Sequence, residues 1–180
     1  MNIRSKAVNP TVICILLVIF AVATRVYPHP VSFTSVTAIG LFAGACISDR
    51  RFWLLPGITL LISDVIIGFY NPVVMLFVYL GFTVSVFAGR LFLYRTCTLF
   101  RLGCTTVISA TVFFVISNMG VWLCGLYYPL NVTGLIECFI LALPFFGNTL
   151  CGDLFYVVCL FGLFEAVQMC TTRKHWLRTA

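Results

Sequence analysis

Long apolar runs, each ended by a short polar segment, follow one another along almost the whole chain. Each run is roughly 17 to 23 residues long, which is the length of helix that crosses the hydrocarbon core of a bilayer. The pattern predicts an all-α integral membrane protein whose six transmembrane helices form one domain over residues 1–180. The predicted spans lie at about 10–27, 33–48, 52–69, 72–93, 104–126 and 148–169.

One further apolar run, over residues 134–146, does not fit this pattern. It has only about 13 residues, and Pro144 and Gly147 end it, so it is too short to cross a bilayer. The sequence therefore predicts a re-entrant or interfacial segment between the fifth and sixth spans.

The first predicted span also has the features of a signal peptide. Arg4 and Lys6 precede its apolar core, and Ala21-Val22-Ala23 has the small residues of a cleavage site. We expect this helix to stay as the first span because five more follow it, although the pattern leaves cleavage open.

Composition excludes an ordinary soluble domain. Hydrophobic residues make up 62% of the chain and charged residues 9%, and the mean hydropathy is +1.11. Basic residues cluster beside one set of span ends, at Arg4, Lys6, Arg50, Arg51, Arg90, Arg95, Arg101, Arg173, Lys174 and Arg178. Because positive loops stay in the cytoplasm, this bias predicts a multi-pass protein of the bacterial inner membrane with both termini cytoplasmic.

Polar residues inside the predicted spans lie mainly toward the opposite, outer end. Asp64, Asn118 and Asp153 each fall roughly 8 to 12 Å below the predicted outer boundary, so the sequence predicts that three helices share a polar layer. Polar groups near one surface favour a pocket that captures a small molecule over a channel through the whole thickness. The candidate substrate-binding residues are Arg25, His29, Ser32, Asp64, Asn118, Trp122, Tyr127, Asn148 and Asp153.

Each of these residue types also has a purely structural explanation. Arg25 is suited to anchoring a helix end at the headgroups, and Asp64 and Asp153 to pairing with it and fixing the helix packing. Trp122 and Tyr127 are suited equally to an interfacial aromatic belt and to stacking on a ligand ring. The sequence leaves these alternatives open.

Small residues at intervals of four follow two of the spans. Gly40, Gly44 and Ser48 form one set, and a second set consists of Gly81, Ser85 and Gly89. Such faces let helix backbones approach closely, either inside one protein or against a partner.

The sequence offers little for catalysis. It has no zincin, nucleophile-elbow or phosphate-binding-loop motif, and its two histidines are His29 and His175. Nine cysteines are scattered without a C-x-x-C pair, which favours ordinary packing. We therefore expect neither an enzyme nor a bound cofactor or metal, although His29 with Asp64 leaves an intramembrane enzyme as a minor alternative.

Four motifs together resemble an uncharacterised bacterial family of membrane transport proteins. They are Arg25-x-x-Pro28-His29-Pro30-x-Ser32-Phe33-Thr34, Ser63-Asp64-x-x-x-Gly68, Ser117-Asn118-x-Gly120-x-Trp122 and Pro144-Phe145-Phe146-x-Asn148-Thr149-x-x-Gly152-Asp153. That family is similar to the S components of energy-coupling-factor (ECF) transporters in size, helix number and cytoplasmic termini. The resemblance implies an S-component-like bundle that partners a transmembrane coupling protein and ATPase subunits.

The leading functional hypothesis from the sequence is a substrate-binding subunit. It would capture a small vitamin-like or amphipathic micronutrient at the outer face for uptake, without binding nucleic acid. The alternative is a structural or assembly membrane protein in which the buried polar layer only locks the helices together.

Overall fold

The protein consists of six helices joined by short links in the part of the chain that the computed structural model describes, residues 10–26, 35–47 and 53–179. These residues include no strand. The helices are α1 (Pro10–Val26), α2 (Val36–Cys46), α3 (Leu55–Ile67), α4 (Pro72–Ala88, continued by a π-helical segment, Gly89–Leu93), α5 (Leu99–Leu123) and α6 (Val132–Thr179). The predicted all-helical class, and the number and order of the helices, are thus confirmed.

Local sequence explains where several helices begin and end. Gly68 follows α3 with a φ of 109°, a backbone conformation that favours glycine. The Asn71 side chain then accepts hydrogen bonds from the backbone N–H groups of Val73 and Val74, which would otherwise lack a partner at the start of α4. Thr98 caps α5 in the same way.

Three helices are long and apolar enough to cross a bilayer. They contain the candidate spans Pro72–Leu93, Leu99–Leu123 and Val132–Val167. The described parts of α1, α2 and α3 are apolar but shorter, with 17, 11 and 13 residues. The length and composition of α4, α5 and α6 support a membrane protein, whereas crossing by the three shorter helices stays a prediction.

The outer surface of the bundle is itself apolar. On α3, a helix of 13 residues, large hydrophobic side chains are exposed at Ile58, Leu61, Ile62, Val65, Ile66 and Ile67. A soluble protein rarely leaves so continuous an apolar face in water. This surface is suited to contact with lipid tails.

The segment 134–146 differs from the prediction. It is α-helical and continuous with the predicted sixth span, because α6 runs from Val132 to Thr179 with Pro144 inside it. A proline removes one backbone hydrogen bond from a helix, a loss that transmembrane helices tolerate when neighbouring groups compensate for it. Pro144 and Gly147 therefore do not end a helix here.

The short helix α2 lies at the centre of the bundle. All its residues from Val36 to Ala45 are buried, and it contacts α1, α3, α4, α5 and α6. The glycines predicted to allow close packing do so within this molecule: Gly44 lies against the backbone at Val86 and Arg90, and Gly89 lies against Leu41. These contacts leave no room for a side chain at either glycine.

Arg90 caps the C-terminal end of α2. Its Nη1 donates to the backbone oxygen of Ile47 over 3.1 Å, and its guanidinium lies 3.6 Å from the centre of the Tyr94 ring. A cation at a helix C-terminus is favoured by the helix dipole and satisfies a free carbonyl group.

Candidate functional site

An ion pair joins α1 to α3. Arg25, in the last turn of α1, places Nη2 2.8 Å from Oδ1 of Asp64, whose side chain is 1% exposed. Arg25 also donates to the Ser63 hydroxyl, and the Tyr79 hydroxyl from α4 donates to Oδ2 of Asp64 over 3.0 Å. The sequence-based alternative in which Asp64 pairs with Arg25 is therefore confirmed, and Asp64, on α3, has partners on two other helices, α1 and α4.

Tyr70, in the link between α3 and α4, belongs to the same electrostatic environment. Burial raises the pKa of its phenol, the Asp64 carboxylate raises the pKa further, and Arg25 partly opposes these effects. The surroundings of Tyr70 therefore favour its neutral phenol over the phenolate. Sequence reasoning missed Tyr70 and Tyr79, since nothing in their spacing shows which neighbouring helix they face.

Asp153 lies apart from this ion pair, buried between α6 and α2. Its side chain is 1% exposed, and neither carboxylate oxygen has a hydrogen-bond partner within the described ranges. The hydroxyl of Thr37, in the first turn of α2, lies next to this carboxyl group without forming a well-aligned hydrogen bond.

Asn118 faces a cavity between α5 and α6. Its Nδ2 donates to the Phe114 backbone oxygen over 2.8 Å, one turn earlier in the same helix. The cavity has a volume of about 320 Å³, and four phenylalanines and three polar side chains form most of its wall. The lining residues are Phe113, Phe114, Ser117, Asn118, Ala142, Phe145, Phe146 and Thr149.

The remaining predicted site residues lie around or outside these groups. Trp122 donates from Nε1 to the Pro129 oxygen over 3.1 Å and so stabilises the link between α5 and α6. Tyr127 lies in that link with 69% of its surface exposed, and Asn148 is exposed on α6. His29 and Ser32 lie outside the described residues.

Helix contacts show which predicted residues lie at the same depth. Gly81 faces Phe113 and Gly120 faces Phe77, so α4 and α5 are antiparallel with Tyr79 level with about residue 117. The hydrogen bond from Tyr79 therefore links Asp64 to the part of α4 whose backbone is level with Asn118. A shared depth for the two side chains stays a prediction.

Asp153 lies deeper in the bundle than Tyr79. Gly40 of α2 packs against Val86 of α4, so Thr37 lies roughly one helical turn, or about 6 Å, farther from the Arg25 end of the bundle than Tyr79. Asp153 lies beside Thr37 and therefore at about the same level. The predicted depth was counted from Asn148, but α6 begins 16 residues earlier, at Val132. The three side chains accordingly occupy three places with separate partners instead of one cluster.

The described residues offer no obvious metal site. They contain no group of three or more His, Cys, Asp or Glu side chains in a position to hold an ion.

Comparison with known proteins places almost the entire sequence in one family. A model for a family of unknown function, DUF6580, matches residues 5–175. No curated protein matches the chain. No solved structure matches it either.

Proposed function

The chain belongs to DUF6580, a family of unknown function, and we propose that it is a membrane transport protein with the role of a substrate-binding subunit. It captures a small vitamin-like or amphipathic micronutrient at the outer side of a bacterial inner membrane for uptake. The cavity between α5 and α6 is the single observation that carries this proposal.

The cavity has the composition of a small-molecule site. Such sites have volumes of about 300 to 1,000 Å³ and apolar walls with a few polar groups that orient the ligand. Phe113, Phe114, Phe145 and Phe146 supply the apolar walls, and Ser117, Asn118 and Thr149 supply the polar groups.

The predicted site residues have different roles in this proposal. Asn118 contacts the ligand, and Trp122 stabilises the adjoining link between α5 and α6. Arg25 and Asp64 hold α1 against α3 and do not line the cavity, since each is already the partner of the other. Asp153 is a buried carboxyl group outside the cavity wall, about one helical turn deeper in the bundle than Tyr79.

Energy for uptake comes from partners in this proposal. The sequence contains no phosphate-binding-loop motif for ATP hydrolysis. The resemblance of the four sequence motifs to S-component-like proteins supports a transmembrane coupling protein and ATPase subunits as these partners.

Blocking the cavity tests the proposed function. Ala142 lines the cavity, whereas Ala166 is exposed on the same helix, so Ala142→Phe and Ala166→Phe make the same change inside and outside the site. Mass spectrometry of small molecules retained by gently purified protein is expected to find a ligand in the native protein and in Ala166→Phe, and to find it lost in Ala142→Phe. An identical set of retained molecules in all three proteins would refute a binding role for this cavity.

A structural or assembly role is the second candidate, and the ion pair favours it. Arg25, Ser63, Asp64 and Tyr79 connect α1, α3 and α4 without any ligand. This role predicts that Ala142→Phe changes neither uptake of any compound per folded molecule nor the retained molecules, while disruption of the ion pair lowers the folded yield.

The proposed orientation has its own test. The bias of ten basic residues toward one set of predicted span ends supports an orientation with the link between α4 and α5 in the cytoplasm and the link between α5 and α6 outside. Alkaline phosphatase, which is active only outside the cytoplasm, is expected to be active when fused after Tyr128 and inactive when fused after Arg95. Activity in the reverse pattern would invert the orientation and place the cavity toward the cytoplasm.

A further inference from the structure

Hydrogen bonding inside the cavity between α5 and α6 indicates which ligand chemistry it accepts. The Ser117 hydroxyl donates to the Phe114 oxygen over 3.3 Å, and the Thr149 hydroxyl donates to the Phe145 oxygen over 3.1 Å. Asn118 donates one N–H to that same Phe114 oxygen. Both hydroxyl donors, and one of the two amide donors, are therefore already used.

What remains on these three side chains is mainly the capacity to accept hydrogen bonds. The hydroxyl oxygens of Ser117 and Thr149 keep lone pairs, and Asn118 keeps Oδ1 together with its second N–H. A ligand that presents N–H or O–H donors matches these acceptors. At Asn118, where a free acceptor and a free donor belong to one amide, a ligand with an adjacent donor and acceptor forms two bonds, as an asparagine does with the edge of a base.

The cavity also excludes a formal charge on the part of the ligand that it encloses. None of its eight lining residues is ionisable. Moving a charged group from water into a site without a counter-charge is costly, whereas an uncharged donor bonded to an oxygen acceptor is not.

Three of the four phenylalanines in the cavity wall, Phe113, Phe114 and Phe146, pack against neighbouring rings. Phe113 stacks on Phe82 with ring centres 4.5 Å apart, and Phe114 lies 4.9 Å from Phe146 and 5.8 Å from Phe139. Rings held by neighbouring rings keep their orientation and offer a face or an edge to another ring. The volume of about 320 Å³ is at the lower end of the range for small-molecule sites, which suits a ligand of one or two rings.

We infer that this cavity binds an uncharged planar heterocycle that carries an N–H donor next to an acceptor, with Asn118 as the residue that recognises this pair. The inference rests on the proposed function and deepens it, because it names the class of substrate.

The test uses three flat two-ring probes of nearly equal size. 2-Quinolinone has a lactam N–H beside its carbonyl group, N-methyl-2-quinolinone lacks the donor, and the N-methylquinolinium ion carries a fixed charge. Equilibrium dialysis against the protein in lipid nanodiscs measures binding, and empty nanodiscs correct for partition into lipid. We expect 2-quinolinone to bind, with about tenfold weaker binding after N-methylation and none above background for the cation.

Variants locate the binding site. Asn118→Leu is expected to weaken 2-quinolinone binding by about tenfold or more, and Thr149→Val by a smaller factor. Thr111→Val is the matched control, since its hydroxyl also donates to its own helix, at Val107, but lies on an exposed face of α5 outside the cavity. Thr111→Val should bind as the native protein does.

The other outcomes separate the two proposals. Equal binding of the N-methylated probe, preference for the cation, or absence of 2-quinolinone binding would each overturn the ligand class. If the molecule retained by native protein is still lost in Ala142→Phe, the proposed function survives that failure. If Ala142→Phe retains the same molecules, both proposals fail.

Discussion

Replacing Asp64 with asparagine is expected to lower the free energy of unfolding by about 3 to 5 kcal/mol. The substitution removes the charge that neutralises Arg25, whose side chain is only 16% exposed and which would then stay largely buried without a counter-ion. Thermal or denaturant unfolding of the purified protein in detergent measures the change.

Two controls isolate the ion pair as the cause. Glu137→Gln removes an exposed carboxylate and should change stability by less than about 0.5 kcal/mol. The double variant Arg25→Met with Asp64→Leu should recover much of the lost stability, because well-packed apolar residues often replace a buried ion pair without loss. An Asp64→Asn protein as stable as the native one would show that Arg25 finds solvent or another partner.

The expected loss of stability limits the use of Asp64 variants for distinguishing the two candidate functions. Asp64 stabilises the helix bundle whether or not the protein binds a ligand, so a low yield of Asp64 variants is expected under both. Variants of the cavity wall, away from the ion pair, are the ones that distinguish capture of a small molecule from a purely structural role.

Replacing Gly44 with alanine is expected to cause the second large loss, about 3 kcal/mol or more, at the upper end of overpacking effects. A Cβ atom there would overlap the Val86 backbone oxygen and lie 2.7 Å from the backbone nitrogen of Arg90. Backbone atoms cannot turn aside as a flexible side chain can, so α2 and α4 would have to separate. Unfolding in detergent, together with size-exclusion profiles, measures the effect.

Gly103→Ala is the matched control for this substitution. Gly103 lies inside α5, and a Cβ atom added there meets nothing within 4 Å. Because alanine favours a helix over glycine, this variant should be as stable as the native protein or slightly more stable. If both alanine variants melted alike, close packing of α2 on α4 would not be a source of stability.

Periodicity and length predicted most of the helices because each depends on residues close in sequence. The start of α4 follows from Asn71 and Pro72, and its predicted end at residue 93 matches the end of the π-helical continuation. The prediction for α6 failed where a local signal competed with packing. Pro144 weakens one helical bond, but Phe139 and Phe146 on either side of it both pack on Phe114, which favours a continuous helix.

The sequence by itself determined that this is a helical membrane protein, since hydropathy and helix length follow directly from composition along the chain. It also identified Asp64, Asn118 and Asp153 as buried or partly buried polar groups. Only the tertiary structure decided their partners, pairing Asp64 with Arg25 and Tyr79, giving Asn118 a cavity and leaving Asp153 beside Thr37. These contacts join residues far apart in sequence, and the rotation and crossing of packed helices, which spacing along one helix does not specify, bring them together.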